Sequence, residues 1–280
     1  MADEAAPHTG IGSQAELGDA RQTPGVVSRY LGALLTFLGE IASLTAQTVR
    51  EIVRGGVSVS DLIAQMASIG ADSLAIVLVI TTATGAVFSF YTANLALQIG
   101  FTSFVGGTVA YGLLNELSPV LGGVALAARV GAAIAAEIGS MVVTEQVDAL
   151  RAMAISPVRY LVAPRVIAAV LMLPLLITLG DVSGLMGSYA FATLKGIPGA
   201  EFWNSVHTYA TTENFTSGLY KAVVFGFLIG IVACHQGLKT KGGATGVGRA
   251  TTNSVVLCVV LIFISDLFLA QILTGVATRR

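Results

Sequence analysis

Apolar residues of this chain gather in five long runs, which shorter polar segments separate. Each run approaches or exceeds the roughly 20 apolar residues that an α-helix needs to cross a bilayer. The pattern therefore predicts an all-α membrane protein with five transmembrane helices. Their approximate bounds are 69–99, 103–139, 166–191, 219–237 and 254–275.

The second run, 103–139, is too long for one straight crossing, and Pro119, Gly122 and Gly123 interrupt it. The run fits either one long kinked helix or two short helices. The number of crossings decides on which side of the membrane each loop lies, so the charges of the loops can separate the two readings.

Loops 141–165 and 238–250 each carry three lysines or arginines, whereas loop 192–218 carries one lysine and two glutamates. The positive-inside rule makes the first two loops cytoplasmic and the third external. The arginines that precede the first span lie on the cytoplasmic side only if residues 103–139 cross the membrane once. We therefore predict five spans with the N-terminus cytoplasmic and the C-terminus outside, and Arg279–Arg280 is the exception to the rule.

The region before the first span predicts two further segments. Residues 28–54 place apolar side chains at helical spacing with arginines interspersed. This pattern is typical of an amphipathic helix that lies in the cytoplasmic interface or packs beside the bundle. Residues 1–27 are polar and small, which predicts a disordered cytoplasmic tail without a cleavable signal peptide and leaves 28–280 as the folded domain.

Composition narrows the class of protein. Hydrophobic residues make up 54% of the 280 positions and charged residues 11%, against about 25% charged in soluble domains. The net charge of −1 offers no field for nucleic acid. Cys234 and Cys258 lie in or at the end of apolar runs and are expected to be small buried hydrophobes, with no metal site. No internal repeat is visible.

Loop 141–165 contains a short segment, 144–157, with the signals of a helix. Thr144 is a candidate N-cap, and Glu145 and Asp148 fall in the first turn, where the helix dipole favours acids. Pro157 would end a helix of about three turns. Such a helix fits a groove on a partner protein, although a solvated connector explains the same pattern.

Charged residues within the apolar runs are the other candidates. An acid at the centre of a membrane helix costs at least about 2.5 kcal/mol, so Glu116 should face a wet cavity or a partner, or hold the bundle together. Asp181 and Asp266 raise the same question more weakly. Arg129 and Glu137 lie eight residues apart on one face, which suggests a structural ion-pair network or charges that snorkel to the interface.

The order and spacing of four blocks make the chain similar to the MlaE/YrbE family, the permease subunits of MCE-type lipid ABC transporters. The resemblance extends over roughly residues 30–275. The blocks are Asn115-Glu116-Leu117-Ser118-Pro119-Val120-Leu121, the run from Ala128 to Gly139, Thr144-Glu145-Gln146-Val147-Asp148-Ala149-Leu150, and the stretch from Gln236 to Thr252.

The resemblance implies an architecture and partners. The fold would be that of an MlaE-type ABC permease, working as a dimer of this chain or with a close paralogue. Two cytoplasmic ABC ATPase subunits would bind ATP and Mg²⁺, so this chain would need no cofactor and would not be an enzyme. An MCE-domain protein would meet the outer face. The expected location is the bacterial inner membrane, with the plastid inner envelope as the less favoured alternative.

The resemblance also implies two sets of site residues. Segment 144–157 would be the coupling helix that docks on the ATPase, and a lipid would lie between the two permease copies. The family usually has an arginine where this chain has Asn115, which puts a charge pair with a head group there in doubt. The coupling residues would be Glu145, Asp148, Leu150, Arg151, Met153 and Arg159, and the lipid-binding residues Phe88, Tyr91, Tyr111, Asn115, Glu116 and Asp266.

Two other classes of function compete. An ion-coupled secondary transporter of an amphiphile could use Glu116, Asp181 and Asp266 as proton relays, but the coupling-type loop and the lack of a repeat argue against it. A membrane enzyme would need clustered acids or paired histidines, which the sequence does not have. The glycine-rich stretch 242–248 lacks the Gly-Lys-Ser/Thr of a phosphate loop.

Overall fold

The computed structural model describes residues 26–55 and 57–277 of the chain. By its contacts the chain divides into two compact units, Met1–Glu40 and Ile41–Arg280. The N-terminal helix runs from Val26 to Val53. In the part of this helix that belongs to the first unit, Leu34, Leu35 and Leu38 are exposed. In the part that belongs to the second unit, Leu44 is buried in the main hydrophobic core.

Five helical segments of the described residues are long and apolar enough to cross a membrane, as predicted. We call them spans 1 to 5, and the helix of span 5 continues to Ala277. A seven-residue loop helix, Gln146–Ala152, joins spans 2 and 3, and a hairpin helix, Gly199–Tyr209, joins spans 3 and 4. The spans are Val59–Ile99, Thr102–Val143, Val158–Leu194, Thr212–Leu238 and Gly243–Leu273.

The second apolar run forms one crossing, which confirms five spans over the alternative of six. Span 2 stays helical from Thr102 to Val143 because two π-helical turns, Leu113–Leu117 and Ala127–Gly131, absorb its irregularities. Each π turn widens the helix by one residue and frees backbone carbonyls for other partners. Ser254 of span 5 donates a hydrogen bond to one of them, Gly131 O, at 3.1 Å.

The observed helices extend beyond the apolar runs that predicted them. Span 1 begins ten residues before the apolar run, at Val59, because Ser58 caps it by accepting a hydrogen bond from the Asp61 N–H. It ends at Gly100, whose φ of 72° is the left-handed conformation that glycine adopts readily. Thr211 caps span 4 by accepting from the Asn214 N–H. Caps, and not hydropathy, set these ends.

Spans 1 and 3 pack against each other along most of their length through small residues. A Cβ added to Gly85 would lie 2.2 Å from Gly184 O. The two backbones are also close enough for a hydrogen bond between the spans: the Ser89 hydroxyl donates to Ser188 O at 2.8 Å. Close approach of backbones through glycine and serine is how membrane helices gain packing energy when the lipid is as apolar as the side chains.

Segment 144–157 differs from the prediction. Its helix covers only Gln146–Ala152, since Glu145 and Ala154 both adopt left-handed backbone angles, with φ of 60° and 58°. Thr144 does not cap it; the Thr144 hydroxyl donates instead to Ser140 O and closes span 2. Pro157 stands at the start of span 3, where a proline's missing N–H costs nothing.

The predicted tail falls almost wholly outside the described residues. Residues 1–25 and the Arg279–Arg280 pair are not among them, while Val26 and Val27 are already helical. The membrane orientation of the termini therefore stays a prediction.

We expect Gly85→Ala to destabilise the bundle. The new methyl group would overlap the Gly184 carbonyl and force spans 1 and 3 apart, at a cost of about 1–3 kcal/mol. Thermal unfolding in detergent should show the loss. Gly248→Ala is the matched control, because nothing lies within 4 Å of its added Cβ, and better helix propensity should leave stability equal or slightly higher. Equal unfolding temperatures for both variants would contradict the close packing.

Candidate functional site: a lysine between two carboxylates

A buried lysine joins two acids from different spans inside the bundle. Lys221 Nζ of span 4 lies 2.5 Å from Glu116 Oε2 of span 2 and 2.8 Å from Asp266 Oδ1 of span 5. The Lys221 side chain is 1% exposed, that of Asp266 17% and that of Glu116 45%. The cluster thus has a closed side at the lysine and an open side at Glu116.

The first π turn of span 2 places Glu116. Pro119 has no N–H to donate to the carbonyl of residue 115, so the regular hydrogen-bond ladder stops there. The Ser118 N–H instead donates to Leu113 O, five residues back, which closes the π turn around Glu116. Glu116 therefore sits on a π-helical turn, a departure from α-helical geometry that is frequent at functional sites.

Gly218 brings span 4 close enough for the lysine to reach. A Cβ on this residue would lie 2.2 Å from Leu114 O, inside the same π turn. Lys221 is three residues further along span 4 and so lies on the same helix face. The close contact at Gly218 brings spans 2 and 4 near enough for Lys221 to contact Glu116.

Electrostatics explain why the three groups need one another. A lone ammonium group in this setting would cost several kilocalories per mole, and two carboxylates compensate for it. With all three ionised, the cluster carries one net negative charge. Because Glu116 is half exposed, its carboxylate is the part of the cluster that a ligand can reach, and there it can accept a hydrogen bond from a cationic group.

The predicted lipid-binding residues fall into three places. Glu116 and Asp266 belong to the lysine cluster. Phe88 and Tyr91 line a shallow groove of about 420 Å³ that reaches Leu117, next to Glu116. Tyr111 lies elsewhere.

Tyr111 lines a separate cavity of about 410 Å³ with Phe104 and Tyr209, near the hairpin helix. The Asn115 amide is turned back on its own helix and donates to Tyr111 O at 3.0 Å.

Arg129 and Glu137 do not pair with each other, which corrects the predicted structural ion pair. Eight residues along a helix span about 12 Å, beyond the reach of a direct bond. Arg129 contacts Asp72 of span 1, with Nη2 3.4 Å from Oδ2, and donates to Ser73 Oγ. Glu137 accepts instead from the buried Arg165 of span 3 at 3.0 Å.

Asp181 is a further buried acid of the bundle. It is buried in span 3 at 4% exposure, beside Ser118 of span 2. Cys234 and Cys258 are buried free thiols, as predicted.

The charged side chains of the loop helix are exposed on the surface of the protein. Val147 is buried at 3% exposure and fixes the helix to the bundle. Arg151 and Asp148 form an exposed pair at 2.7 Å. Leu150 is half-buried, and the remaining predicted coupling residues, Glu145, Met153 and Arg159, are exposed.

Two features of the structure were not predicted from the sequence: the role of Lys221 and the ion pair between Arg165 and Glu137. A signal existed for the lysine, which is the single lysine or arginine of the run 219–237. The reasoning that drew attention to Glu116, the cost of a charge within a membrane helix, applies to Lys221 equally.

Comparison with known proteins gives a consistent result. A family model described as Permease MlaE matches residues 62–272. A Synechocystis protein named Probable ABC transporter permease protein is 41% identical over 82% of this chain and 88% of its own. A Rickettsia conorii protein of the same name is 41% identical over 84% and 91%. The chloroplast protein TRIGALACTOSYLDIACYLGLYCEROL 1 of Arabidopsis thaliana is 33% identical over 92% and 72%.

We expect Lys221→Met to destabilise the protein by about 2–3 kcal/mol, somewhat below the loss for a fully buried broken ion pair because Glu116 is half exposed. The two acids would remain in the membrane without their cation. The triple variant Glu116→Gln, Lys221→Met, Asp266→Asn removes all three charges and should recover most of the loss. Thermal unfolding in detergent measures both. A triple variant no more stable than the single one would contradict the electrostatic account.

Proposed function

The chain belongs to the MlaE family of ABC transporter permeases, and from this membership we propose that it is the membrane subunit of a lipid transporter. In this proposal it moves a phospholipid or a related lipid between the bilayer and an MCE-domain protein at its outer face. A separate cytoplasmic ATPase dimer supplies the energy. The host membrane is the bacterial inner membrane, with a plastid envelope less favoured.

The lysine cluster is the observation that carries the lipid assignment. A half-exposed carboxylate beside a buried ammonium group provides both signs of charge within the membrane-crossing part of the bundle. The groove at Phe88 and Tyr91 adds apolar and aromatic surface next to it. A ligand with a charged head and apolar tails matches both parts. The name of the Arabidopsis relative, which contains that of a galactolipid, supports a lipid cargo.

The loop helix is the proposed entry point for energy. Its exposed Glu145, Asp148 and Arg151 would dock on the ATPase, since the described residues include no nucleotide-binding loop and ATP must act through another subunit. In a pair of permease copies, closure of the ATPase dimer would pull the two loop helices together. The movement would change the space between the copies and transfer the lipid.

We expect the double variant Glu145→Lys, Asp148→Lys to uncouple the ATPase. Reversing two exposed charges should disrupt docking without unfolding the chain, because neither side chain is buried. The ATPase rate of the purified complex should lose its dependence on the permease, and lipid transfer should stop. Glu213→Lys, an exposed acid at the other end of the bundle, is the matched control. Unchanged transport by the double variant would overturn the assigned role of the loop helix.

Reconstitution tests the function as a whole. Liposomes that contain the permease, its ATPase and the MCE protein should transfer labelled phospholipid only with ATP, and an ionophore should not matter. Transfer that persists without ATP and collapses with the ionophore would favour the ion-coupled alternative. Binding of a labelled phospholipid that Glu116→Gln leaves unchanged would remove the lysine cluster from the proposal.

A further inference from the structure

A second polar cavity lies at the loop-helix end of the bundle, away from the lysine cluster. It has a volume of about 580 Å³ and three walls. Glu51 comes from the last turn of the N-terminal helix and Arg54 from the turn that follows it. Ser58, the N-cap of span 1, and Asp61 in its first turn form the second wall. The third wall is the segment that follows the loop helix, from Ala154 to Tyr160.

One part of the lining suits a phosphate group. Arg54 and Arg159 come from different walls and are both exposed. Ser58 and Ser156 each accept a hydrogen bond from a backbone N–H three residues ahead, at 3.4 Å, which leaves each hydroxyl proton free to donate. Guanidinium and hydroxyl donors that line one cavity are the usual ligands of phosphate oxygens.

The other part of the lining suits an ammonium group. Glu51 and Asp61, which each carry a carboxylate, line the same cavity. With the two arginines they make a lining of zero net charge, which disfavours a purely anionic ligand. A ligand that carries one phosphate and one ammonium group satisfies both signs at once.

The surroundings of the cavity distinguish a lipid from a soluble compound. Val53, Val59 and Ile63, which alternate with the lining residues along the chain, are 81%, 69% and 61% exposed. Val59 and Ile63 are four residues apart on one face of span 1, where acyl chains can lie beside them. A polar cavity whose lining residues have exposed apolar neighbours along the chain fits a molecule with a charged head and apolar tails.

We infer that this cavity is a binding site for the head group of a zwitterionic phospholipid with a primary ammonium group, of the phosphatidylethanolamine type. Arg54, Arg159 and the two serine hydroxyls hold the phosphate, and Glu51 and Asp61 accept hydrogen bonds from the ammonium group. The lipid belongs to the leaflet at the loop-helix end and is not the transported molecule. Since the third wall of the cavity is the segment that follows the loop helix, the bound head group holds that segment against the start of span 1.

A fluorescent label at the cavity tests the inference on the full-length chain. Ile155→Cys provides an exposed thiol in the lining, while the native Cys234 and Cys258 are fully buried and escape labelling. Bimane on this residue should change its emission saturably with dioctanoyl phosphatidylethanolamine. Dioctanoyl phosphatidylglycerol, which lacks the ammonium group, should bind about tenfold more weakly, as expected for a lost charge-assisted hydrogen bond.

Charge variants make the test specific. Glu51→Gln with Asp61→Asn should reverse the preference towards phosphatidylglycerol, because the lining then carries two positive charges. Arg54→Gln should weaken binding of both lipids about tenfold. Arg249→Gln, an exposed arginine outside the cavity lining, is the matched control and should change neither affinity. Hydrogen exchange of residues 153–160 in the unlabelled protein provides a second measurement.

Several results would overturn the inference. Equal affinity for the two lipids, or a preference that survives the Glu51 and Asp61 substitutions, removes the charge argument. Glycerophosphoethanolamine that binds as tightly as the lipid assigns the cavity to a soluble compound. The absence of a response in both measurements shows that no head group enters. None of these outcomes affects the lysine cluster, so the proposed function and this inference fail independently.

Discussion

The way in which spans 2, 4 and 5 meet depends on one interaction, the burial of Lys221 between Glu116 and Asp266. A lysine at 1% exposure is tolerable in a membrane bundle only where acids from neighbouring helices reach it, so this side chain fixes spans 2, 4 and 5 relative to one another. The π turn at Leu113–Leu117 and the glycine at 218 satisfy the same requirement from the backbone side. Without either, the three charged groups would not meet.

The number and type of the spans could be predicted from the sequence because bilayer thickness requires long apolar runs, whatever the rest of the fold does. The helix ends could not, since they depend on Ser58, Gly100 and Thr211, each of which acts through a single local bond or backbone angle. The loop helix illustrates the same limit. Thr144 has the chemistry of an N-cap, yet its hydroxyl closes the preceding helix instead.

Two of the three residues of the lysine cluster could be predicted, for a related reason. The cost of a charge in lipid is a property of one residue, so it identified Glu116 and Asp266 from the sequence and would have identified Lys221 as well. Which charges pair is a property of the packing. Lys221 lies 105 residues from Glu116, and Arg165 lies 28 residues from Glu137. Residue spacing within one helix cannot predict partners on another helix. It suggested a pair of Arg129 with Glu137, whereas Arg129 pairs with Asp72 and Glu137 with Arg165.

Span 2 links the two ends of the proposed mechanism. Its last turns lead directly into the loop helix, and the Glu137–Arg165 pair ties those turns to the beginning of span 3. A displacement of the loop helix therefore acts on both spans together. Between that pair and Glu116, span 2 contains the π turn Ala127–Gly131, and Glu116 itself lies in the other. π turns are the stretches where a helix can shift its hydrogen bonds by one residue. A movement that starts at the loop helix would thus be taken up at these turns, and the second of them carries Glu116, the half-exposed carboxylate that pairs with Lys221.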